Sequence, residues 1–440
     1  MLKRVNESRQ ISGIPVGQAA FPSPFGSGLE YASPARGMWN IVHTGMLLPE
    51  AHEIFICAAG CLRGVVLTAA ELGFSHRFST VEVREEDLLA GNMEELAVEG
   101  VCAILERLPK LPPAVLVYTS CVHHFTGCDL GLIYRDLRQR YPLVDFVECY
   151  MNPILRKSGM TPDQLMRGSL YAPLKPRAIR PDAAAIIGND LHISEDTDLK
   201  ALLRQGGRRI HEITACKTYE EYQQMAESAL YISSYPSAKA GGDKLAHRLG
   251  GQHLYVPFSF DFDEIEAGLN RLSQALGLPE TDYSARRAQC IAALEKTRHI
   301  LGDTPIAIDY TFCPRPLGLA KLLLEAGFRV ERVYLDTVTV EEKPAFDHLK
   351  THYPDLLLYP TVHAAMRFHS PKEPSGFLAI GQKAAHFTNT NHFVNVVEGG
   401  GMHGFQAILG TLALMEEAYF EEKPLRSLIQ IKGLGCGGCL

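Results

Sequence analysis

Residues 45–61 read GMLLPEAHEIFICAAGC, and within them His52–Cys57 (HEIFIC) is a short, largely apolar run followed at once by small residues. A run of this length without strict polar alternation has the form of a strand buried on both faces, as in a parallel sheet. Residues 61–73 (CLRGVVLTAAELG) then place apolar side chains at helical spacing. The helix therefore begins after only Ala-Ala-Gly. Strand, tight turn and helix form the repeating unit of an open α/β sheet.

Working outward, AVLVY (114–118) is a second strand of the same kind, and helices are expected over 92–108 and 129–141. Together these make a first segment, 35–175. A second segment, 176–300, opens with AAAIIGN (183–189). It continues with ALYISSY (229–235), a helix over 238–249, HLYVPFS (253–259) and a long helical stretch to about 301. A third, 301–430, runs from TPIAIDYTF (304–312) through LGLAKLLLEAG, FRVERVYLD, LLLYPTVH and VNVVEG to the helix GFQAILGTLALMEEAYF, with Gly327 placed to cap a helix. Turn-rich or polar linkers at 172–181 and 298–304 separate the three. The expected fold is α/β, with three Rossmann-like domains built on parallel sheets. An irregular Gly/Pro/Ser-rich arm (1–34) precedes them and a Gly/Cys tail (431–440) follows.

Bulk properties agree with several compact domains. The chain has 440 residues, 46% of them hydrophobic and 21% charged, inside the range of globular proteins. A net charge of −7 and no long Lys/Arg run remove the footprint of a nucleic-acid binder. No stretch of about eighteen uninterrupted apolar residues is present, and the first thirty residues lack the apolar core of a signal peptide. A cytoplasmic protein with no membrane contact is expected.

Eleven cysteines in a reducing compartment do not make a disulfide framework. Cys102, Cys128, Cys149, Cys216, Cys290 and Cys313 lie in apolar or mixed contexts, where a thiol packs as a small hydrophobe. Cys57, Cys61, Cys121, Cys436 and Cys439 stand apart. Cys57 ends a strand, Cys61 opens the next helix, and Cys121 comes three residues after AVLVY. Ligands of open parallel sheets bind beyond the carboxyl ends of the strands. A helix N-terminus there favours thiolate and an anionic cluster. Spacing alone leaves two readings, a metal–sulfur site and thiols buried on one rim. A four-thiolate cluster would also need ligands from another chain.

Three runs, GMLLPEAHEIFICAAGC (45–61), STVEVREEDLLAGNMEELAVEGV (79–101) and VLVYTSCVHHFTGCDL (115–130), resemble in order and spacing three segments of the nitrogenase component 1 superfamily. Gly60–Cys61 matches the family's Gly-Cys pair, Glu85, Asp87, Leu88 and Gly91 match its E-x-D-(I/L)-x-x-G segment, and Cys121 matches its second cysteine. The resemblance implies that Cys61 and Cys121 bind an iron–sulfur cluster at an interface with a homologous subunit. Residues 31–44 contain no counterpart of the further upstream cysteine, so the implied cluster is a [4Fe–4S] cluster rather than an eight-iron one. Its ligands would be two per subunit in a homodimer, or would include Cys57 as a third beside a dissimilar partner, as in a heterotetramer. Cys128, Cys436 and Cys439 are lesser candidates, the last two as a CxxC pair in a glycine-rich tail.

The cysteine that holds the large nitrogenase cofactor in the second domain is replaced here by Ser233 or Ser234, and His392 is only a partial counterpart of the third-domain histidine. Nitrogen fixation is therefore not implied, although another metallocofactor is compatible. The run VNVVEGGGMHGFQAILGT (394–411) resembles the family's glycine-rich turn. Gly399–Gly401 would admit a substrate close to backbone, and His403 is the one catalytic candidate, set against a helix-start histidine bonded to backbone. His123 and His124 face the same choice beside Cys121. No GxxxxGK[ST] loop is present, so the resemblance implies a separate ATP-dependent [4Fe–4S] reductase as electron donor. The implied function is a nitrogenase-like oxidoreductase subunit relaying electrons to a small-molecule substrate between its domains. The alternative is a scaffold for metallocofactor assembly.

Overall fold

The computed structural model describes residues 12–26, 28, 30, 31, 33, 41–151, 160, 162–369 and 374–430. The first short strand, β1 (Ile14–Pro15), lies in the arm expected to be irregular. It is followed by β2 (His52–Cys57), β3 (Phe78–Glu82), β4 (Ala114–Ser120) and β5 (Asp145–Met151), a parallel sheet in the order β3-β2-β4-β5. Every residue of β2 and β4 is buried. Alternate residues serve different cores: Ile54, Ile56, Val115 and Val117 pack on one side, and Phe55, Cys57, Leu116 and Tyr118 on the other. Burial on both faces is why these strands read as apolar runs rather than alternations. The Phe55 and Tyr118 rings stack across the pair with centroids 3.9 Å apart.

Two polar residues break the apolar pattern of β2, and each has a hydrogen-bond partner. His52 Nε2 lies 2.8 Å from Ser79 Oγ, and the buried Glu53 takes a 3.4 Å hydrogen bond from the Tyr118 hydroxyl. Burial holds the Glu53 carboxyl well above the usual carboxylate range. Gly45 makes room for this pair, since a Cβ there would collide with both Glu53 Oε1 and the Tyr118 hydroxyl.

A second parallel sheet comprises β6 (Arg180–Ile187), β7 (Arg209–Glu212), β8 (Ser228–Ser233) and β9 (Gln252–Tyr255), in the order β7-β6-β8-β9. The third comprises β10 (Ile306–Asp309), β11 (Val330–Tyr334), β12 (Leu357–Tyr359), β13 (Leu378–Ile380) and β14 (Phe393–Val394), in the order β1-β12-β11-β10-β13-β14. Among the described strands of this sheet only β1 runs antiparallel, pairing Ile14 with Leu358. An edge position tolerates Pro15, which has no N–H to donate. The α/β class with parallel sheets is as the sequence led one to expect.

Two compact units divide the chain. One, Trp39–His192 with Gly207–Tyr255, holds the first two sheets; the other, Met1–Met38, Ile193–Gly206 and Val256–Leu440, holds the third. Residues 193–206 and 256–300, read from sequence with the second segment, thus belong to the unit of the third sheet. Side-chain bonds account for this. Thr297 Oγ1 donates to Glu416 Oε1 at 2.6 Å, Lys296 Nζ meets Glu416 Oε2 at 2.8 Å, and Arg286 Nε meets Asp198 Oδ1 at 3.1 Å. The expected long helix ending near 301 is two helices, Phe262–Ala275 and Ser284–Leu301. The break falls at Gly277, which sits at φ +71°, a left-handed conformation that favours glycine.

Candidate metal centre

At the carboxyl rim of the first sheet, β2 and β4 are hydrogen-bonded neighbours with Ile56 level with Thr119. Each strand turns directly into a helix. After β2 the chain passes through extended Ala58 into helix Ala59–Glu71, whose third residue is Cys61, with Cys61 N–H donating to Ala58 O at 2.9 Å. After β4, Ser120 caps helix Cys121–Phe125, whose first residue is Cys121. Adjacent strands of equal register therefore place both cysteines in the first turns of neighbouring helices. Cys61 is exposed and Cys121 half-buried, whereas Cys57, the last residue of β2, is fully buried.

Burial, and then the negative charge that Cys61 and Cys121 would carry, push the Cys57 thiol up to about 12. Burial sets Cys57 apart from the other two. Cys61 and Cys121 offer accessible sulfur, while Cys57 packs inward against the apolar core that includes Phe55 and Leu116. Helix Ala59–Glu71 leaves much of its length uncovered: a Cβ on Gly60 or Gly64 would meet nothing within 4 Å, and Val66 is 42% exposed. Among the described residues, no group of three or more His, Cys, Asp or Glu side chains is arranged to hold a metal ion within this chain. Two accessible cysteine sulfurs on an open rim suit a cluster whose remaining ligands come from another chain.

Beside Cys121 lies a cavity of about 290 Å³ lined by Thr119, His123, His124, Cys128 and Tyr150 among others. His123 is buried and accepts from the Ser120 N–H through Nδ1 at 3.2 Å. Its Nε2 has no partner among the described residues. His124 is exposed, so the two adjacent histidines do face different surroundings. Cys128 lines this cavity, and burial together with Glu94 pushes its thiol up to about 12. Cys436 and Cys439 lie outside the described residues.

The other two rims carry polar groups that sequence reasoning missed. At the end of β8, Ser233 Oγ lies 2.8 Å from His253 Nε2, and His253 Nδ1 lies 2.6 Å from Asp243 Oδ1. No spacing motif links these three; the pairing of Tyr231 with His253 between β8 and β9 brings them together. At the rim of the third sheet, buried Asp309 ends β10. It accepts from Thr311 N at 2.6 Å and from Ala384 N at 2.5 Å. Lys383 is buried nearby with Nζ 3.4 Å from Thr361 Oγ1, and burial lowers its ammonium from the ordinary lysine range. His403, the catalytic candidate, is buried with Nε2 3.3 Å from Val256 O, and His392 is half-exposed with Nδ1 2.9 Å from Ala418 O. Gly399, Gly400 and Gly401 all have positive φ, so the glycine run is a left-handed turn that other residues would strain.

The family model for nitrogenase component 1 type oxidoreductases matches residues 44–365. The chain belongs to this family. Two solved structures resemble it in fold: "Nitrogenase Cp1 at pH 6.5", 13% identical with a TM-score of 0.62 over 90% of this chain and 94% of that one, and "Nitrogenase Cp1 at pH 5", 11% identical with a TM-score of 0.53 over 92% and 94%. No curated protein matches the sequence. Component 1 type proteins are oxidoreductases that bind iron–sulfur clusters and form multimers served by a separate reductase component. No described helix is long and apolar enough to cross a membrane.

Proposed function

We propose that this component 1 type subunit relays electrons from a separate ATP-dependent [4Fe–4S] reductase to a small-molecule substrate, through a [4Fe–4S] cluster held jointly with a homologous subunit. Cys61 and Cys121 are the ligands from this chain. One observation carries the reading: two accessible cysteines open the helices that follow adjacent, in-register parallel strands, close enough for both to act on Cys57. The donor set fits the group, since cysteine sulfurs are the usual ligands of iron–sulfur clusters. When bound, such a cluster supplies one-electron redox chemistry.

The chain's own residues then hold and orient. Ser120 and His123 fix the turn that presents Cys121, and extended Ala58 fixes the turn that presents Cys61. Cys57 is assigned to the core beneath them rather than to the cluster.

The test is anaerobic purification with iron and sulfide quantification and electron paramagnetic resonance, on the wild type and on Cys61→Ala and Cys121→Ala. The wild type should contain iron and give a cluster signal after reduction, and each variant should lose it. A wild type without iron, or two variants that keep the full signal, would end this reading. Reduction of the cluster by a matched reductase with ATP tests the relay. A cluster that is present but is transferred to acceptor proteins instead would mark the chain as an assembly scaffold.

A further inference from the structure

His123 is 1% exposed and lines the cavity of about 290 Å³ beside Cys121. Thr119 and Ser120 at the end of β4, Tyr150 near the end of β5, and Cys128 and Leu130 at the start of the following helix form other walls. The carboxyl ends of parallel strands are where open α/β sheets take their ligands. The cavity is thus well placed to hold one.

Hydrogen bonding fixes the state of the His123 ring. Its Nδ1 accepts from the Ser120 N–H at 3.2 Å, and Ser120 Oγ lies 3.4 Å from the same nitrogen. An accepting Nδ1 carries no proton, so the ring carries its proton on Nε2. Nε2 is buried and has no hydrogen-bond partner among the described residues. A buried N–H donor without an acceptor costs free energy that a bound acceptor would return.

The same bonding narrows the ligand. A metal ion on Nε2 would need the lone pair there and a proton on Nδ1, which would then face the Ser120 N–H. An anion finds no lysine or arginine among the lining side chains. It would also meet two carboxylates behind the walls: Glu94 accepts the Asp129 N–H at 2.7 Å and bonds the Cys128 thiol, and Glu148 Oε2 lies 3.5 Å from the Tyr150 hydroxyl. A protonated amine offers only donors, where the ring needs an acceptor. What remains is an uncharged molecule with an exposed acceptor oxygen, whose carbon atoms Leu130 and Tyr150 can cover.

We propose that this cavity binds a small uncharged carbonyl compound, such as an amide or lactam, whose oxygen accepts a hydrogen bond from the His123 Nε2–H. The site needs no iron, so it stands or falls separately from the cluster assignment.

Saturation-transfer nuclear magnetic resonance on the full chain tests this, with pyrrolidinone as the probe and with acetate and pyrrolidine as anionic and cationic comparisons. Saturable transfer to pyrrolidinone is expected, alike in protein that holds iron and in protein stripped of it, with none to the other two. His123→Asn keeps a side-chain acceptor for the Ser120 N–H and removes the Nε2 donor, which should weaken the lactam about fivefold. Leu130→Trp fills the cavity from another wall and should abolish binding, which keeps the test sound if His123→Asn fails to fold. No saturable transfer, transfer that depends on iron, equal binding of acetate or pyrrolidine, or undiminished binding in either folded variant would overturn the proposal.

Discussion

The rims of the first and third sheets share one geometry and use it in opposite ways. Both are carboxyl ends of parallel strands that turn into helices, at β2 and β4 in one case and at β10 and β13 in the other. At the first rim, Cys61 is exposed and Cys121 half-buried, and among the described residues no hydrogen bond occupies their sulfur. At the third, Asp309 is fully buried, with both carboxylate oxygens hydrogen-bonded by Thr311 and Ala384, and Gly381 at φ +111° sits so close that a Cβ would press on the carboxylate. Polar groups that hold a rim closed are consumed by it. Groups that serve a partner or cofactor are left unconsumed, and that contrast separates structural from functional residues more sharply than residue type does.

The largest effect should come from breaking the open rim. Cys61→Ala or Cys121→Ala should remove the iron of anaerobically purified protein, as read by metal analysis, whereas Cys57→Ala should leave it in place and instead lower stability by about 1–3 kcal/mol through a small core cavity. Retention of iron in both rim variants, with loss in Cys57→Ala, would reverse the roles assigned to these thiols.

Breaking the closed rim should damage folding instead. Asp309→Ala strips the acceptor from buried donors on Thr311 and Ala384, which should cost about 3–5 kcal/mol in chemical denaturation. Iron content of the surviving folded fraction should be unchanged. An Asp309→Ala protein as stable as wild type would show that those donors find other partners.

These contrasts also explain what was legible in the sequence. HEIFIC and AVLVY announced buried parallel strands because burial on both faces leaves an apolar run, and the place of Cys61 and Cys121 on the rim could be read because each falls one turn past such a run, while a ligand role was implied only by the family resemblance. The Ser233, Asp243 and His253 chain could not be read, since the pairing of β8 with β9 and not any spacing brings it together, nor could Lys383, whose burial depends on the packing of helix Gln382–Thr388. The strand Ile14–Pro15 was hidden for a related reason. Two residues carry no periodicity, and their pairing with β12 spans the length of most of the chain. The split of residues 193–206 and 256–300 from the second sheet likewise rests on long-range contacts such as Thr297 with Glu416.

A smaller effect should follow pH. Glu342 has its carboxyl raised from an ordinary value of 4.5 to about 7, chiefly by burial. A raised acid binds its proton more tightly when folded, so its contribution to stability is complete below about pH 4.5 and is lost as pH rises through about 7. The stability advantage of wild type over Glu342→Gln should therefore shrink between pH 5 and pH 8, by an amount on the order of 2 kcal/mol. Denaturant titrations of both proteins at the two pH values measure it, and a constant difference would mean that Glu342 does not titrate in that window.

The smallest expected effect is the most telling about the open rim. Cys61 is exposed on helix Ala59–Glu71 and its side chain closes no core, so the stability of apo Cys61→Ala should match that of apo wild type within about 0.5 kcal/mol. Alanine is the best helix former, which makes even a small gain acceptable. Removing an accessible ligand should thus abolish iron binding while leaving the apo fold untouched, the reverse of what Asp309→Ala should do. A large loss of apo stability in Cys61→Ala would mean that the thiol packs against the chain itself. The open rim would then be a structural feature like the closed one, and the assignment of Cys61 as a ligand would lose its physical basis.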